Sequence, residues 1–322
     1  MSTTTFFTSV HDQLQFVEQR IRDQAGDEHH PDLRSALEHL LAAGGKRIRP
    51  TLGLLVGNML DAPEEKLITL GASVELLHTA TLVHDDLIDG ALLRRGMPTL
   101  NARWSPAATV LTGDFLFARA AKLAAETDYL PLMKLFSETL AIIVNGELTQ
   151  MFSARGVIDR DNYYNRIYAK TASLFEMSSL AAAMVATLDE RMRESMRIFG
   201  YEVGMAFQIV DDILDFTGDQ SAVGKPLASD LLNGLVTLPA IYYAEEHPDD
   251  EDVMSLPAGG WKDTERVQRL VDGIRKNAAI EKAMDEARQS VSRALGALDE
   301  APASPEKDAL ENLAMYIVDR KF

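Results

Sequence analysis

Apolar residues recur at helical spacing along nearly the whole chain, and the period-two alternation typical of strands is weak throughout. Gly44 and Gly45 suit the end of a helix, whereas Pro63 and Pro305 suit a first turn. The pattern predicts a first helix ending near Gly26, then helices over 31–43, 52–60, 63–89, 107–127, 130–153, 162–188, 191–216, 231–246, 264–298 (one helix or two) and 304–318. No linker interrupts it. We therefore predict a single all-α domain over residues 1–322, built as a helical bundle.

The amino-acid composition excludes several classes of function. The 322 residues are 46% apolar and include no cysteine, which excludes disulfides, thiolate chemistry and Cys-ligated zinc. Residues 1–13 lack the features of an export signal, and no apolar run reaches the roughly 20 residues of a membrane span. We therefore expect a cytoplasmic protein. The net charge of −17 argues against nucleic acid and against an anionic membrane surface as partners.

Two acidic clusters of the form Asp-Asp-x-x-Asp end two of the long apolar stretches. Their members are Asp85, Asp86 and Asp89 in the first acidic cluster, and Asp211, Asp212 and Asp215 in the second. Carboxylates four residues apart share a helix face and repel each other, so a bound cation would stabilise them. Mg²⁺ prefers oxygen ligands and combines one or two carboxylates with substrate phosphate. The clusters therefore predict a diphosphate held by magnesium between two facing helices.

Two neutral polar residues accompany these clusters. His78 lies seven residues before Asp85, on nearly the same helix face. A lone histidine in an apolar helix is more often a hydrogen-bonded core group, but this alignment favours ligand contact. Gln208 begins a polar stripe with the second acidic cluster at spacing i, i+3, i+4 and i+7, which favours substrate contact over a core network.

Basic residues occur close to both clusters in the sequence. They are Lys46 and Arg49 after the Gly-Gly pair, Arg94 and Arg95 after the first acidic helix, Lys170 before Thr171, and Lys225 after the second cluster. Any one of them alone is most often a surface charge. Their placement indicates phosphate recognition, because arginine binds phosphate oxygens in bidentate fashion and lysine acts as a point charge.

A family resemblance rests on several motifs that follow one another in order from about residue 40 to residue 240. The motifs are GGKRIRP (44–50), LLHTATLVHDDLIDGALLRRGMPT (76–99), GDFLFARA (113–120), Lys170-Thr171, FQIVDDILDFTGD (207–219), GKP (224–226) and VTLP (236–239). With these motifs the chain resembles the all-trans polyprenyl diphosphate synthases, which include the farnesyl, geranylgeranyl, octaprenyl and decaprenyl enzymes. One departure is Ala228, where many members have glycine. A second is Leu235, where lysine is common.

The resemblance implies an all-α bundle around a central cavity, usually a homodimer, and a role for each motif residue. Magnesium would be held by Asp85 and Asp89 with Asp86 in support, and by Asp211 with Asp212 and Asp215. The allylic diphosphate would be contacted by Arg94, Lys170, Thr171, Gln208 and Lys225. The pocket for isopentenyl diphosphate would comprise Lys46, Arg49, His78 and Arg95.

The chemistry agrees with these roles. An allylic diphosphate ionises when its leaving diphosphate is neutralised, and the double bond of isopentenyl diphosphate then attacks the cation. Loss of a proton completes the reaction, with the released diphosphate as a plausible base. No residue has to act as a nucleophile, which fits the absence of cysteine and of a Ser/His/Asp arrangement.

Product length is predicted from the residues before the first acidic cluster. Bulky aromatics four or five residues before it give short products in the family, but this chain has Thr81 and Ala80 there. Helix geometry favours Thr81 and Leu77 as tunnel lining over Ala80, which lies about 140° from Asp85. We therefore predict a long-chain enzyme, hexaprenyl to decaprenyl, whose product is a quinone side-chain precursor and whose membrane contact is at most peripheral. The alternatives are a geranylgeranyl or farnesyl diphosphate synthase, a terpene cyclase, and a non-catalytic subunit of a heteromeric synthase.

Overall fold

The computed structural model describes residues 5–26, 29–153, 155–218 and 227–320, and these ranges are mostly helical. The α-helices are α1 (Thr5–Thr8), α2 (His11–Arg22), α3 (Pro31–Ala42), α4 (Ile48–Met59), α5 (Glu64–Ile88), α6 (Pro106–Glu126), α7 (Leu130–Ser153), α8 (Arg160–Ile167), α9 (Ser173–Ala186), α10 (Glu190–Thr217), α11 (Ser229–Leu232), α12 (Leu238–Glu246), α13 (Glu251–Ser255), α14 (Thr264–Lys276), α15 (Ala279–Ala297) and α16 (Pro305–Asp319). The prediction of an all-α fold is confirmed.

Shorter elements connect these helices. They are a π-helix at Tyr168–Ala172, 3₁₀ turns at Leu100–Ala102, Leu256–Ala258 and Gly260–Lys262, and a hairpin of β1 (Leu93–Arg94) with β2 (Met97–Pro98). The hairpin was not predicted. The helix predicted over 162–188 is interrupted by the π-helix, and the stretch predicted as one helix over 231–246 is divided between α11 and α12. That prediction was wrong because Gly234 has a φ of 82° and Pro239 suits only the first turn of the next helix.

The first compact unit, unit 1, comprises Met1–Glu138, Met177–Arg197 and Glu300–Asn312. Its central helix is α5, against which α2, α4 and α6 pack. Leu76 and Leu77 on successive positions of α5 are both fully buried, because neighbouring helices cover this helix on several sides. This packing holds the first acidic cluster, at the end of α5, on a rigid element.

Helices α5 and α6 of unit 1 run antiparallel and very close together. The hydroxyl of Ser73 donates to the backbone carbonyl of Ala120 at 2.8 Å, and further along α5 the ring of His84 lies against Gly113. A Cβ added at Gly113 would lie 2.1 Å from His84 Nε2. A larger residue at this position of α6 would therefore have to displace the ring of His84, which directly precedes the first acidic cluster.

The second compact unit, unit 2, comprises Thr139–Glu176, Ile198–Asp299 and Leu313–Phe322. Within it α12 packs against α8, α14 and α15. The guanidinium of Arg166 on α8 donates to the backbone carbonyl of Val236 at 2.6 Å, which ties α8 to the segment before α12. Unit 2 contains the part of α10 that carries the second acidic cluster. The single-domain assignment over residues 1–322 stays a prediction.

One helix among the described residues, α5, is long and apolar enough to cross a membrane by length and composition. The mean hydropathy of its most apolar window is 1.2, and 67% of that window is buried inside the fold. This burial identifies α5 as a core helix of unit 1, which passes the same test of length and hydropathy as a membrane span.

Candidate active site

The first acidic cluster places its three carboxylates in different surroundings. Asp86 is 6% exposed, and the guanidinium of Arg94 holds it. Arg94 Nε donates to both carboxylate oxygens at 2.9 and 3.0 Å, and its Nη2 lies 2.8 Å from Oδ1. Asp85 is half-buried, and Asp89, the C-cap of α5, is exposed. Because residues i and i+4 share a helix face, Asp85 and Asp89 form the solvent-facing pair, whereas Arg94 already neutralises Asp86.

The β-hairpin positions two of the predicted phosphate-binding arginines. Arg94 pairs with Met97 across the hairpin, and the connecting residues Arg95 and Gly96 have φ values of 51° and 76°. Two positive φ values in a two-residue loop are those of a type I′ turn. The guanidinium of Arg95 donates to the backbone carbonyl of Gly44. The hairpin thus carries Arg94 to the first acidic cluster and Arg95 to the segment before α4.

The predicted pocket for isopentenyl diphosphate is strongly cationic in unit 1. Arg49 Nη1 lies 3.2 Å from His78 Nε2. Burial lowers the pKa of His78 well below its ordinary value, and the charges of Arg49, Arg95, Arg94 and Arg47 lower it further. The imidazole is therefore neutral at pH 7 and surrounded by guanidinium groups, which we call the arginine cluster. Such a concentration of positive charge suits a di-anionic ligand.

Arg47 and Glu75, which were not predicted as site residues, hold this pocket in place. Arg47 has a φ of 47° and precedes α4, and its Nη1 lies 2.8 Å from Glu75 Oε1 on α5. Its Nε also donates to Glu18 on α2 at 3.2 Å. The side chains of Arg47 and Glu75 are only 11% and 6% exposed. This buried ion pair anchors the segment that presents the predicted residues Lys46, which is exposed, and Arg49.

In the second acidic cluster Asp212 is the most buried carboxylate, at 3% exposed. The hydroxyl of Tyr163 donates to its Oδ2 at 2.7 Å and Gln208 Nε2 donates to its Oδ1 at 2.8 Å. Burial, followed by the charge of Asp230, raises the pKa of Asp212 far above its ordinary value. The hydroxyl of Thr171 in turn donates to Gln208 Oε1 at 2.6 Å. Thr171 and Gln208 were predicted to contact the allylic diphosphate and Asp212 to hold magnesium; the three form one hydrogen-bonded chain with Tyr163, which was not predicted.

The other two carboxylates of this cluster have local partners as well. Asp215 accepts from the backbone N–H and hydroxyl of Ser229 at 3.1 and 2.9 Å, and from the N–H of Asp230 at 3.1 Å. Asp211 Oδ1 lies 2.6 Å from Nη2 of Arg320, near the end of the chain. Nothing in the local sequence pattern indicates either contact, since the partners are 14 or more positions away.

The π-helix at Tyr168–Ala172 contains the predicted pair Lys170 and Thr171. Lys170 Nζ lies 3.4 Å from Glu147 Oε1 on α7, while Thr171 is buried and bonds to Gln208 as described. Single π-helical turns within α-helices are frequent at functional sites. Here the turn lets one residue of the pair face a carboxylate on α7 and the next face α10. Glu147 is a further residue that the sequence analysis missed.

The remaining predicted residues are placed as follows. Leu77 and Ala80 are fully buried in unit 1, and Thr81 is half-buried with its hydroxyl donating to the backbone carbonyl of His78 at 2.7 Å. Lys225 lies outside the described residues. That the two acidic clusters face each other, and that Leu77, Ala80 and Thr81 line a tunnel, stays a prediction.

The donor groups fit a magnesium ion that is shared with a substrate phosphate. Over the described ranges, no group of three or more His, Asp or Glu side chains forms a preformed metal cage. Magnesium does not need one, because it takes one or two carboxylates and completes its shell with water and phosphate oxygens. Asp85 with Asp89, and Asp211, offer carboxylate oxygens of this kind. The same residues offer no nitrogen or sulfur ligands of the type that zinc prefers.

Comparison with known proteins gives consistent matches along the chain. The family model described as polyprenyl synthetase matches residues 30–274. The heptaprenyl diphosphate synthase component 2 of Geobacillus stearothermophilus is 36% identical over 326 residues, covering 100% of both chains. The all-trans-nonaprenyl-diphosphate synthase (geranyl-diphosphate specific) of Rhodobacter capsulatus is 39% identical over 292 residues, covering 89% of this chain and 88% of that one. The crystal structure of polyprenyl synthase from Caulobacter crescentus CB15, complexed with calcium and isoprenyl diphosphate, has a TM-score of 0.91 at 32% identity, covering 99% and 98% of the two chains.

Proposed function

Because this chain belongs to the polyprenyl synthetase family of prenyltransferases, we propose that it condenses isopentenyl diphosphate head-to-tail onto an allylic diphosphate in a magnesium-dependent reaction. The observation that carries this proposal is the contact of Arg49 Nη1 with His78 Nε2, 3.2 Å apart, amid the arginine cluster that keeps the imidazole neutral. Two of these guanidinium groups are paired with carboxylates, Arg47 with Glu75 and Arg94 with Asp86, so Arg49 and Arg95 would supply most of the positive charge for an anion. Isopentenyl diphosphate is such an anion, and its apolar tail suits a helical bundle.

For the metal we propose Asp85, Asp89 and Asp211 as the principal ligands, with Asp86, Asp212 and Asp215 holding the backbone and the hydrogen-bond network around them. Hydrogen-bond partners within the protein support this division. Asp86 bonds to Arg94, Asp212 bonds to Tyr163 and Gln208, and Asp215 bonds to the start of α11. Bound magnesium would neutralise the diphosphate as its bond to the allylic carbon breaks.

The residues of this chain would contribute by binding, orientation and charge. Arg94 and Lys170 would bring positive charge to the leaving diphosphate, and Thr171 with Gln208 would orient it by hydrogen bonds. Arg49 and Arg95 would hold isopentenyl diphosphate so that its double bond attacks the allylic carbon. The neutral His78 would donate one hydrogen bond to that diphosphate. Attack forms the new carbon–carbon bond, and the proton lost from the resulting cation passes to a basic oxygen of the released diphosphate.

We also propose a long-chain product, of hexaprenyl to decaprenyl length. Support comes from the small side chain of Ala80, which is fully buried one and a half turns before Asp85, and from the absence of an aromatic side chain at Thr81. A shorter product, of geranylgeranyl or farnesyl length, is the alternative. Chromatography of the reaction products separates the two.

A homodimer is the assembly we propose. Support comes from an apolar stripe on α7 formed by Val144, Leu148, Met151 and Phe152, whose exposed fractions are 46%, 47%, 46% and 80%. Exposed apolar patches of this kind mark contact surfaces. The second candidate is a subunit of a heteromeric synthase, which the name of the Geobacillus relative favours, since that protein is called component 2. Light scattering on the purified chain distinguishes a dimer from a monomer that awaits a different subunit.

The direct test uses the purified chain with Mg²⁺, radiolabelled isopentenyl diphosphate and either farnesyl or geranylgeranyl diphosphate. We expect turnover by the chain alone, and a loss of about 100-fold or more in Asp85→Asn and Asp211→Asn, as for removal of one electrostatic group from an active site. Asp285→Asn is the matched control, because Asp285 is an exposed carboxylate of unit 2 paired only with Arg288 on its own helix in the described contacts. Near-normal rates in both cluster variants would refute the metal assignment. Inactivity of the isolated wild-type chain would favour the non-catalytic subunit.

A further inference from the structure

The side chain of Arg320 is held against one turn of α10, although the residue lies beyond the last helix. It follows the last residue of α16, and its side chain is 6% exposed. Its Nη2 lies 2.6 Å from Asp211 Oδ1 and donates to the backbone carbonyl of Phe207 at 3.2 Å. The guanidinium carbon lies 4.2 Å from the centroid of the Phe207 ring. All of these contacts are within unit 2 and converge on one turn of α10.

The position of this guanidinium conflicts with metal binding at Asp211. The guanidinium lies 2.6 Å from the carboxylate oxygen, where a divalent ion would have to bind. It also neutralises the negative charge that would attract that ion. Like charges at such separations repel strongly in a partly buried setting, where solvent screens them poorly. The guanidinium and a metal ion therefore compete for that carboxylate oxygen, and each weakens the binding of the other.

Two features of Arg320 favour its exchange with a metal ion. Its Nε is buried and has no hydrogen-bond partner among the residues that the structure describes, so the arrangement does not satisfy all its donors. Arg320 also lies beyond the last helical residue, Asp319. Its side chain can therefore swing away while α16, with Leu313 and Ile317 fully buried, stays in place.

We propose that Arg320 is a built-in counter-cation for Asp211, and that a divalent metal binds the second acidic cluster by displacing it. In the metal-free protein the guanidinium neutralises Asp211, and in the metal-bound protein it is released from this carboxylate. Linkage then requires that removing the charge of Arg320 strengthens metal binding. This inference rests on the proposed function only in taking Asp211 as a metal ligand.

The test measures Mn²⁺ binding directly, without substrate, by the loss of the paramagnetic resonance signal of the free ion. Arg320→Gln removes the charge, Arg320→Met also retains an apolar contact with Phe207, and Arg320→Lys keeps the charge. We expect Arg320→Gln and Arg320→Met to bind Mn²⁺ about tenfold or more tightly than the wild type, as the repulsion is removed. Arg320→Lys should stay within about threefold of the wild type. Circular dichroism establishes that each variant retains its helices.

Arg293→Gln is the matched control for net charge. Arg293 is another arginine of unit 2 that pairs with a carboxylate of α10, Glu202, at 2.7 and 3.0 Å, nine positions before Asp211. Its loss changes the net charge as much as the loss of Arg320, so equal tightening in both variants would overturn the inference. Unchanged or weaker Mn²⁺ binding in Arg320→Gln and Arg320→Met would overturn it as well.

Asp211→Asn separates this inference from the proposed function. If Asp211→Asn weakens Mn²⁺ binding while the Arg320 variants bind like the wild type, the metal assignment stands and the competition is refuted. If Asp211→Asn binds Mn²⁺ as tightly as the wild type, Asp211 is not a ligand and both ideas fall. Weakening in Asp211→Asn together with tightening in Arg320→Gln supports both.

Discussion

Helix α10 approaches the π-helix closely at Gly204, and this contact can be tested by adding a single methyl group. A Cβ at Gly204 would lie 2.6 Å from the backbone Cα of Ala172, 2.9 Å from its Cβ and 3.0 Å from the Cβ of Phe175. Ordinary contacts begin at 3.4 Å, so the backbone has to move by about 0.8 Å. Because the neighbour is backbone, no side-chain rotation can relieve the contact.

This displacement reaches the candidate site directly. Thr171 immediately precedes Ala172, and Gln208 lies one turn after Gly204. Their hydrogen bond, 2.6 Å long, would stretch by up to the same distance, to at most about 3.4 Å, where a hydroxyl bond is weak. Gln208 would keep its bond to Asp212 on its own helix but lose its link to Thr171 on the π-helix. Misplacement of binding groups by about 1 Å costs up to roughly 100-fold in rate, so we expect Gly204→Ala to lose about 10- to 100-fold in kcat/KM.

The stability change combines two opposed effects. Overpacking a core costs about 1–3 kcal/mol, whereas replacing glycine by alanine within a helix contributes about 1 kcal/mol of stabilisation. Gly296→Ala on α15 is the matched control, since a Cβ there meets nothing within 4 Å. We expect Gly204→Ala to be about 1 kcal/mol less stable than the wild type. Gly296→Ala should gain up to about 1 kcal/mol and keep its activity.

Urea unfolding followed by circular dichroism, together with turnover of radiolabelled isopentenyl diphosphate, measures both effects. If Gly204→Ala unfolds at the same urea concentration as Gly296→Ala and keeps wild-type kcat/KM, then the contact between the π-helix and α10 is loose and the reasoning is refuted.

Three further substitutions test separate features of unit 1. Arg47→Met should lower the free energy of unfolding by about 3 kcal/mol, because it leaves the buried carboxylate of Glu75 without its ion pair. Urea unfolding measures this loss. Adding Glu75→Gln to the same chain should restore part of the stability. The pKa of His78 in the folded protein lies below 6.5, the value in the unfolded chain. The unfolded chain therefore takes up this proton first as the pH falls. The free energy of unfolding is consequently unaffected by His78 above pH 6.5 and decreases below it. His78→Gln should therefore reduce the stability loss between about pH 7 and 5.5 in the same assay. Ala80→Tyr should shorten the product seen by chromatography, and an unchanged product length would remove Ala80 from the tunnel.

Much of the fold is predictable because apolar spacing and Pro/Gly punctuation act locally. Helix α7, Leu130–Ser153, was predicted with the bounds that it has, and α3 differs by one residue. The start of α4 was predicted at Leu52, where the apolar stretch begins, yet α4 begins at Ile48. Pro50 is tolerated there because the N–H groups of the first turn have no intrahelical partner in any helix.

Other features depend on contacts between distant positions, which one sequence does not reveal. The π-helix at Tyr168–Ala172 consists of ordinary helix-forming residues, and only its packing against α7 and α10 accounts for the extra residue in the turn. Tyr163 and Arg320 carry no local signal of function, although one bonds to Asp212 and the other to Asp211. Ala228 was noted as a departure from the family's glycine, and it has a φ of 54°, a conformation that glycine adopts with less strain.

The two acidic clusters share a division of labour that follows from helix geometry. In an Asp-Asp-x-x-Asp motif the outer carboxylates share one face, while the middle one is rotated by about 100°. That rotation turns Asp86 and Asp212 towards the protein, where they are 6% and 3% exposed. A carboxylate so buried has to find strong donors, and each does: Arg94 in one unit, Tyr163 with Gln208 in the other. The middle aspartate therefore ties its helix to neighbouring elements, which fits the proposal that Asp85, Asp89 and Asp211, among the outer carboxylates, are the principal metal ligands.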